Sequence, residues 1–169
     1  RADLAKKGVE FHMATKVVGV KDNEVTIEKE GETSILPASV ILVSVGRRAI
    51  NWTEVNEFMQ TKDNPDVYAC GDVTGFSMLA HTAVREAEVA VNYIFGEYDS
   101  MSYDAIPGVV YTNPEVAGVG LTEDMLKMSN TPYKALKLPM TFSGRFVAEN
   151  EGGTGMCKIL VGEDNGCIL

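Results

Sequence analysis

The segment VYACGDVTGFSMLAH, residues 67–81, places one carboxylate between an apolar run and the start of a helical pattern. Asp72 follows Gly71 at the end of that run, and ligands of open α/β sheets bind beyond the carboxyl ends of strands. A glycine permits a tight turn and a close approach by a ligand. The carboxylate can accept hydrogen bonds from sugar-type hydroxyls, and charged acceptors form the stronger bonds. The pattern predicts a site in which Asp72 binds hydroxyl groups.

The helix predicted to follow this turn adds hydrogen-bond donors to the same site. Its first backbone amides belong to Met78, Leu79, Ala80 and His81. The first amides of a helix lack intrahelical partners, and a helix N-terminus favours negative charge. A flavin with its ribityl chain requires both features, because its ring gains negative charge on reduction and its chain carries hydroxyls. An ordinary Gly-Asp turn before an unrelated helix is the alternative, and the local pattern leaves it open.

The composition limits the class of protein. The chain has 169 residues, a formal net charge of −9 and 45% hydrophobic residues, so we expect one large domain or two small ones with a real core. The acidic excess argues against nucleic acid and anionic membranes as partners. No apolar run approaches the ~18 residues that a membrane-spanning helix needs. The first residues, RADLAKKGVEF, contain no apolar leader, and we expect a cytoplasmic protein.

The cysteines and histidines do not form a recognisable metal or redox centre. Cys70, Cys157 and Cys167 are odd in number and widely spaced, without CxxC or CxxxxC, which fits a reducing compartment. His12 and His81 stand far apart, so isolated structural histidines are favoured over a metal site. Cys70 lies in an apolar run, and we interpret it as an inert core thiol.

Periodicity predicts an α/β protein. Residues 15–36 contain three short strands separated by turns, which form a β-meander, and VILVSVG at 40–46 is typical of a strand buried on both faces of a parallel sheet. From Met78 a helix is predicted with Ser77 as its N-cap and Gly96 as its C-terminal stop. After Tyr103 short strands and helices indicate an α+β region. One face of the long helix is predicted to pack inwards through Leu79, Ala83, Ala87, Ala90 and Ile94.

Three motifs occur in a characteristic order: VSVGRR at 43–48, VYACGDVTGFSMLAHTA at 67–83 and IPGVVYTNPEVAGVGLTE at 106–123. Together they resemble the flavoprotein disulfide reductases, most of all the dihydrolipoamide dehydrogenase branch. The resemblance implies FAD and NAD as cofactors and dihydrolipoamide as substrate. It also implies a homodimer, with a 2-oxo acid dehydrogenase or glycine cleavage complex as a further partner.

The resemblance also assigns roles to individual residues. It places Asp72, after Gly71, on the ribityl chain of FAD, and it places the backbone of MLAH against the flavin ring. That segment comprises Met78, Leu79, Ala80 and His81. Gly46 would lie near the nicotinamide nucleotide and Val17 near its adenosine. The His81 ring is expected to be structural, and Glu86 and Glu88 are expected to be solvated or paired.

The same resemblance divides the chain into three parts. Residues 1–50 would be the C-terminal part of the NAD-binding domain, residues 51–103 would complete the FAD site, and residues 104–169 would begin the interface, or dimerisation, domain. The fold class implied is thus a partial NAD-binding domain with a β-meander and parallel strands, the completion of an FAD-binding domain, and the start of an α+β interface domain.

The chain departs from the family pattern in its catalytic groups. The two GxGxxG fingerprints, the CxxxxC redox pair and the acid/base His-Pro-Thr segment are absent from the sequence, and the link from Ala49 to Asn51 is short. We therefore expect a fragment of a longer polypeptide, with a disordered loop skipped at that link, that has no dehydrogenase activity alone. The alternatives are another flavin-dependent reductase of disulfides, peroxides or metal ions, and a non-catalytic dimerisation module.

Overall fold

The computed structural model describes residues 1–50 and 53–169. The chain divides into a first unit, Arg1–Arg47, and a second unit, Arg48–Leu169. Its helices and strands confirm the predicted mixed α/β class. In chain order they are α1 (Ala2–Lys6), β1 (Lys16–Lys21), β2 (Glu24–Lys29), β3 (Glu32–Pro37), α2 (Ala80–Ile94), β4 (Gly108–Val110), β5 (Val116–Gly118), α3 (Glu123–Met128), β6 (Tyr133–Pro139), α4 (Gly144–Glu149) and β7 (Met156–Gly162).

The first unit contains the predicted β-meander. Strands β1, β2 and β3 form an antiparallel sheet with β2 in the centre. Glu30 and Gly31 join β2 to β3 with positive φ angles of 54° and 86°, the combination that matches the twist of a hairpin. Ile27 in the central strand is buried, as the alternation of apolar and polar residues predicted.

The predicted buried strand at residues 40–46 is not formed. No helix or strand covers this segment, and its apolar side chains are exposed, with Val45 91% exposed. All strand pairs among the described residues are antiparallel. A strand buried on both faces needs neighbouring strands and covering helices, and the described residues supply neither to this segment. The parallel strand is thus a correction to the prediction, within a fold class that is otherwise confirmed.

Helix α2 is the longest element of the second unit. It begins at Ala80, two residues after the predicted start, and its N-cap is Leu79, without a side-chain cap. The predicted cap Ser77 instead donates its hydroxyl to Thr82 Oγ1 at 3.0 Å. The helix ends before Gly96, which takes the predicted left-handed φ of +83°.

The buried face of α2 differs from the predicted one. The residues of α2 that are buried are Thr82, Glu86, Val89 and Ala90. Of the predicted inner face, Ala90 is buried and Ala83 and Ala87 are half-buried, whereas the two ends, Leu79 and Ile94, are exposed. Apolar residues lie on more than one face of this helix, so their spacing does not determine which face packs on the core.

The core of the second unit lies between α2 and the chain that precedes it. Val55, Met59 and Ala69 pack with Val89 and Ala90 in one cluster of buried residues. The VYAC run is held there by a single antiparallel bridge between Gln60 and Tyr68, not by the extended strand that its apolar character predicted.

The region after Tyr103 has the predicted α+β character. Strand β4 pairs with β5, and β6 pairs with β7, in two antiparallel ladders. Helix α3 is capped by Thr122, whose side chain accepts a hydrogen bond from the Met125 amide. Among the helices that the structure describes, none is long and apolar enough to cross a bilayer.

Candidate functional site

The Gly71–Asp72 turn has a backbone conformation that requires glycine. Gly71 takes φ +82° and ψ −156°, a region that is essentially restricted to glycine. A single 3₁₀ turn, Asp72–Thr74, follows directly, and the Thr74 amide and hydroxyl both donate to the Gly71 carbonyl, at 3.0 and 2.9 Å. The glycine before the aspartate is thus required by the local fold.

This turn lies against the first turns of helix α2. A Cβ atom placed on Gly71 would lie 3.4 Å from the Ala83 Cβ, so no bulky group fits between them. The first backbone hydrogen bond of α2 runs from the Ala83 amide to the Leu79 carbonyl at 3.0 Å. The amides before Ala83 therefore have no partner within the helix, and they stand beside the turn that carries Asp72.

Asp72 is exposed on this turn. Within the part of the chain that the structure describes, its carboxylate forms no hydrogen bond or ion pair. The turn that carries Asp72 packs on Ala83 in the first turn of α2, so a carboxylate acceptor and unpaired helix amides occur in one region of the second unit. These groups fit a ligand that carries hydroxyls next to an electron-rich carbonyl, which is the chemistry of a ribityl-linked flavin.

Glu86 is a residue of this region that the sequence interpretation missed. It was expected to be solvated or paired; it is 0% exposed, so it is not solvated, and its partners are hydrogen-bond donors. One of its oxygens, Oε2, accepts a hydrogen bond from the Gly71 amide at 2.5 Å, and Oε1 accepts from the Tyr103 hydroxyl at 2.7 Å. The signal was its place on the helix, because Glu86 is four residues from both Thr82 and the buried Ala90.

Tyr103 is held in its protonated form by this contact. Burial and the hydrogen bond to Glu86 raise the pKa of the Tyr103 phenol well above its usual value of 10.0. The ring also packs near Phe76, with ring centroids 5.1 Å apart. The phenol is therefore a donor to Glu86 throughout the physiological pH range.

The raised pKa predicts a loss of stability in alkali. The hydrogen bond contributes fully below pH 10, where the tyrosine is protonated in both states, and its contribution declines as the pH rises towards the folded-state pKa. We expect the difference in unfolding free energy between wild type and Tyr103→Phe to shrink between about pH 10 and pH 12. Denaturant unfolding at a series of pH values measures it. A difference that stays constant up to pH 12 would contradict the assignment.

His81 makes a structural contact through its ring. Its Nε2 lies 2.9 Å from the Pro107 carbonyl oxygen. Since a carbonyl can only accept, Nε2 carries the proton in this contact. Met78 and Leu79, which precede the helix, are both exposed. The segment 78–81 thus exposes its first two side chains, while the ring of its histidine contacts the loop after Tyr103.

The two residues predicted at the nucleotide lie in the first unit. Val17 is exposed on β1, beside the bulge between Val17 and Gly19. Gly46 has φ +91° and is exposed, with open space where a Cβ would stand. The structure therefore places Val17 and Gly46 in one unit and the residues around Asp72 in the other.

No redox or metal centre is formed by the described residues. Cys70, Cys157 and Cys167 are free and exposed, so the expectation that Cys70 is a buried core thiol is wrong. Its neighbour Ala69 is buried instead, because the two side chains point in different directions from the chain. Among the described residues no group of three His, Cys, Asp or Glu side chains could hold a metal ion.

Comparison with known families identifies the class of protein. Residues 1–87 match the family described as pyridine nucleotide-disulphide oxidoreductase, and residues 106–169 match the dimerisation domain of the same family. The first match alone covers half of the chain. The chain therefore belongs to the pyridine nucleotide-disulphide oxidoreductases, as the resemblance of its motifs predicted.

Curated relatives are similar along almost the whole chain. The chain is 37% identical to a mitochondrial dihydrolipoyl dehydrogenase of Pisum sativum and to a leghemoglobin reductase of Glycine max, over 98% of its own length in both cases. It spans 37% and 36% of the length of these relatives. The alignments run over 188 residues, more than the chain contains, so they include gaps. The loop expected to be skipped at the link from Ala49 to Asn51 cannot be assigned to one of these gaps from the structure, because Asn51 lies outside the described residues.

Solved structures share the fold. LpdA from Mycobacterium tuberculosis superposes with a TM-score of 0.73 at 20% identity, over 99% of this chain and 40% of that one. The HOCl-induced flavoprotein disulfide reductase RclA from Escherichia coli, in a mutant form with Cu(II), gives 0.75 at 22% identity, over 99% and 42%. Both similarities include residues of the two units of the chain.

Proposed function

We propose that the protein is an FAD-dependent dihydrolipoamide dehydrogenase in its intact form. The overall reaction would convert dihydrolipoamide and NAD⁺ into lipoamide, NADH and a proton. In such an enzyme FAD supplies the two-electron relay between a cysteine pair and NAD. The relatives named dihydrolipoyl dehydrogenase support this substrate. The residues of this chain would bind and orient the cofactors, and the redox cysteines and the acid/base histidine would lie elsewhere in the protein.

The observation that carries the proposal is the free Asp72 carboxylate beside the open N-terminus of α2. Asp72 would accept hydrogen bonds from ribityl hydroxyls, and Gly71 would form the tight turn that presents Asp72 to the cofactor. The segment 78–81 would direct its amides at the flavin edge that becomes negative on reduction. Gly46 and Val17 would bind NAD through the first unit, at exposed backbone and side-chain positions.

The three-part domain division belongs to the same proposal. Residues 1–50 would complete an NAD-binding domain, 51–103 the FAD site and 104–169 an interface domain through which two subunits form a homodimer. The match of residues 106–169 to a dimerisation domain supports the last of these. We propose a cytoplasmic location and assembly with a 2-oxo acid dehydrogenase or glycine cleavage complex. The chain on its own would lack dehydrogenase activity.

The proposal is tested by replacing Asp72 with alanine in the intact protein. Hydrogen bonds to a charged group contribute about 1.5–3 kcal/mol each, so loss of the carboxylate should weaken FAD binding about tenfold or more. Titration of the apoprotein with FAD, followed by flavin fluorescence, measures the dissociation constant. Asp66→Ala, at an exposed turn, is the matched control and should retain wild-type affinity. An Asp72→Ala protein with wild-type affinity would reject the site.

A second candidate is another flavin-dependent reductase of disulfides, peroxides or metal ions. The leghemoglobin reductase of Glycine max is as similar to this chain as the pea dehydrogenase, and this equal similarity supports the second candidate. Steady-state assays of the intact protein with lipoamide and with alternative acceptors separate the two. A purified protein without flavin absorbance would instead favour a non-catalytic dimerisation module.

A further inference from the structure

The carboxyl group of Glu86 joins three separate parts of the second unit. It projects from α2 and is completely buried. Oε2 accepts from the Gly71 amide at 2.5 Å, and Oε1 accepts from the Tyr103 hydroxyl at 2.7 Å, with the Thr74 hydroxyl 3.4 Å from the same oxygen. Gly71 and Thr74 belong to the turn before the helix and Tyr103 lies after the helix, so α2 is joined to both segments. A single side chain therefore holds the turn that carries Asp72.

Burying the carboxyl group of Glu86 costs free energy, which its hydrogen-bond partners must offset. A buried carboxylate is tolerated when donors surround it, and no buried side-chain polar atom of the described residues lacks a partner. The Gly71 amide belongs to a buried residue and finds its acceptor in Glu86. Removing that acceptor leaves the amide unpaired at the residue that immediately precedes Asp72. The turn would then relax away from the position in which Gly71 packs on Ala83.

We propose that Glu86 is a positioning residue of the flavin site, acting through Gly71 and the direction in which Asp72 points. This inference rests on the proposed function, because it gives Glu86 a role in binding the same cofactor. Glu86 does not touch the ligand, since it is buried beneath the turn. Tyr103 holds the second oxygen of Glu86 and so fixes the orientation of the carboxyl plane.

The variants are Glu86→Gln and Glu88→Gln in the intact protein. Glutamine has nearly the shape of glutamate but carries no charge, so in either orientation the Gly71 amide loses its bond to a charged acceptor. Glu88 lies on the same helix, is 59% exposed and contacts Arg85 at 3.4 Å, so it is a matched control. We expect Glu86→Gln to raise the dissociation constant of FAD about tenfold, the effect of one charge-assisted hydrogen bond. Glu88→Gln should leave it unchanged.

Two further readouts separate positioning from a merely structural role. In the apoprotein, hydrogen exchange of the peptide containing Gly71 should become faster in Glu86→Gln and remain unchanged in Glu88→Gln. In an Asp72→Ala background, Glu86→Gln should raise the dissociation constant less than about threefold, because groups acting through one contact are not additive. Equal factors in both backgrounds, or a lower melting temperature at wild-type FAD affinity, would overturn the inference.

The outcomes distinguish this inference from the proposed function. If Asp72→Ala keeps wild-type FAD affinity, the flavin site itself is rejected, and the positioning role falls with it. If Asp72→Ala weakens binding and Glu86→Gln does not, the site stands and the positioning role is overturned. Should Glu86→Gln fail to fold, Tyr103→Phe replaces it. An FAD complex weakened about two- to fivefold, less than in Glu86→Gln because Glu86 keeps its bond to the Gly71 amide, supports the role, and unchanged affinity overturns it.

Discussion

Replacing Gly71 by alanine is expected to remove most FAD from the intact protein during purification. Gly71 takes φ +82° and ψ −156°, and a non-glycine residue there is strained by about 1–3 kcal/mol. The added methyl would also lie 3.4 Å from the Ala83 Cβ, so the turn cannot shift freely towards α2. If the strain is relieved by moving Asp72, FAD binding weakens between about fivefold and a hundredfold. The flavin-to-protein absorbance ratio and a fluorescence titration measure this effect.

The control for this substitution is Gly152→Ala. Gly152 also has a positive φ of +66°, yet no atom lies within 4 Å of the added methyl. Its replacement should cost some stability through backbone strain but leave FAD affinity unchanged. A Gly71→Ala protein that binds FAD as tightly as Gly152→Ala would show that the turn does not carry the cofactor.

Met59→Ala is expected to destabilise the second unit by about 2–5 kcal/mol, the range for emptying a large buried apolar site. Met59 is 1% exposed and packs with Val55, Ala69 and Val89 in the core of the second unit. The free energy of unfolding from urea titration measures the loss. Because the Ala69 amide donates to the Met59 carbonyl at 3.0 Å, a backbone bond that alanine retains, the effect should come from the side chain.

Met128→Ala is the matched control for this core substitution. Met128, at the end of α3, is 85% exposed, and exposed substitutions change stability by about 0.5 kcal/mol or less. Equal losses for Met59→Ala and Met128→Ala would contradict the assignment of the core.

Local sequence signals predicted the elements that local interactions determine. The β-meander follows from alternation and from turn residues such as Glu30-Gly31, whose geometry depends on their own backbone. Helix α2 with its Gly96 stop, and the short helices and strands after Tyr103, were predicted for the same reason. The Gly71–Asp72 turn could be located from the sequence because its backbone angles require a glycine, and a glycine after an apolar run indicates a turn.

Features that depend on distant packing could not be predicted. Residues 40–46 have the composition of a strand buried on both faces. Composition does not determine whether the neighbouring strands and covering helices that such a strand requires are present. The buried face of α2 is only partly the predicted one, because alanine and valine lie on several sides of the helix and their spacing does not separate the core side from its neighbours. The Glu86 network joins Gly71 to Tyr103, which are far apart in the sequence, and no local pattern encodes such a contact.

The most direct test of the account is a crystal structure of the intact protein with FAD bound. We expect an Asp72 carboxylate oxygen within about 2.5–3.2 Å of a ribityl hydroxyl, with the amides at the start of α2 directed at the flavin ring. An FAD molecule bound on another surface, with Asp72 facing solvent, would contradict it.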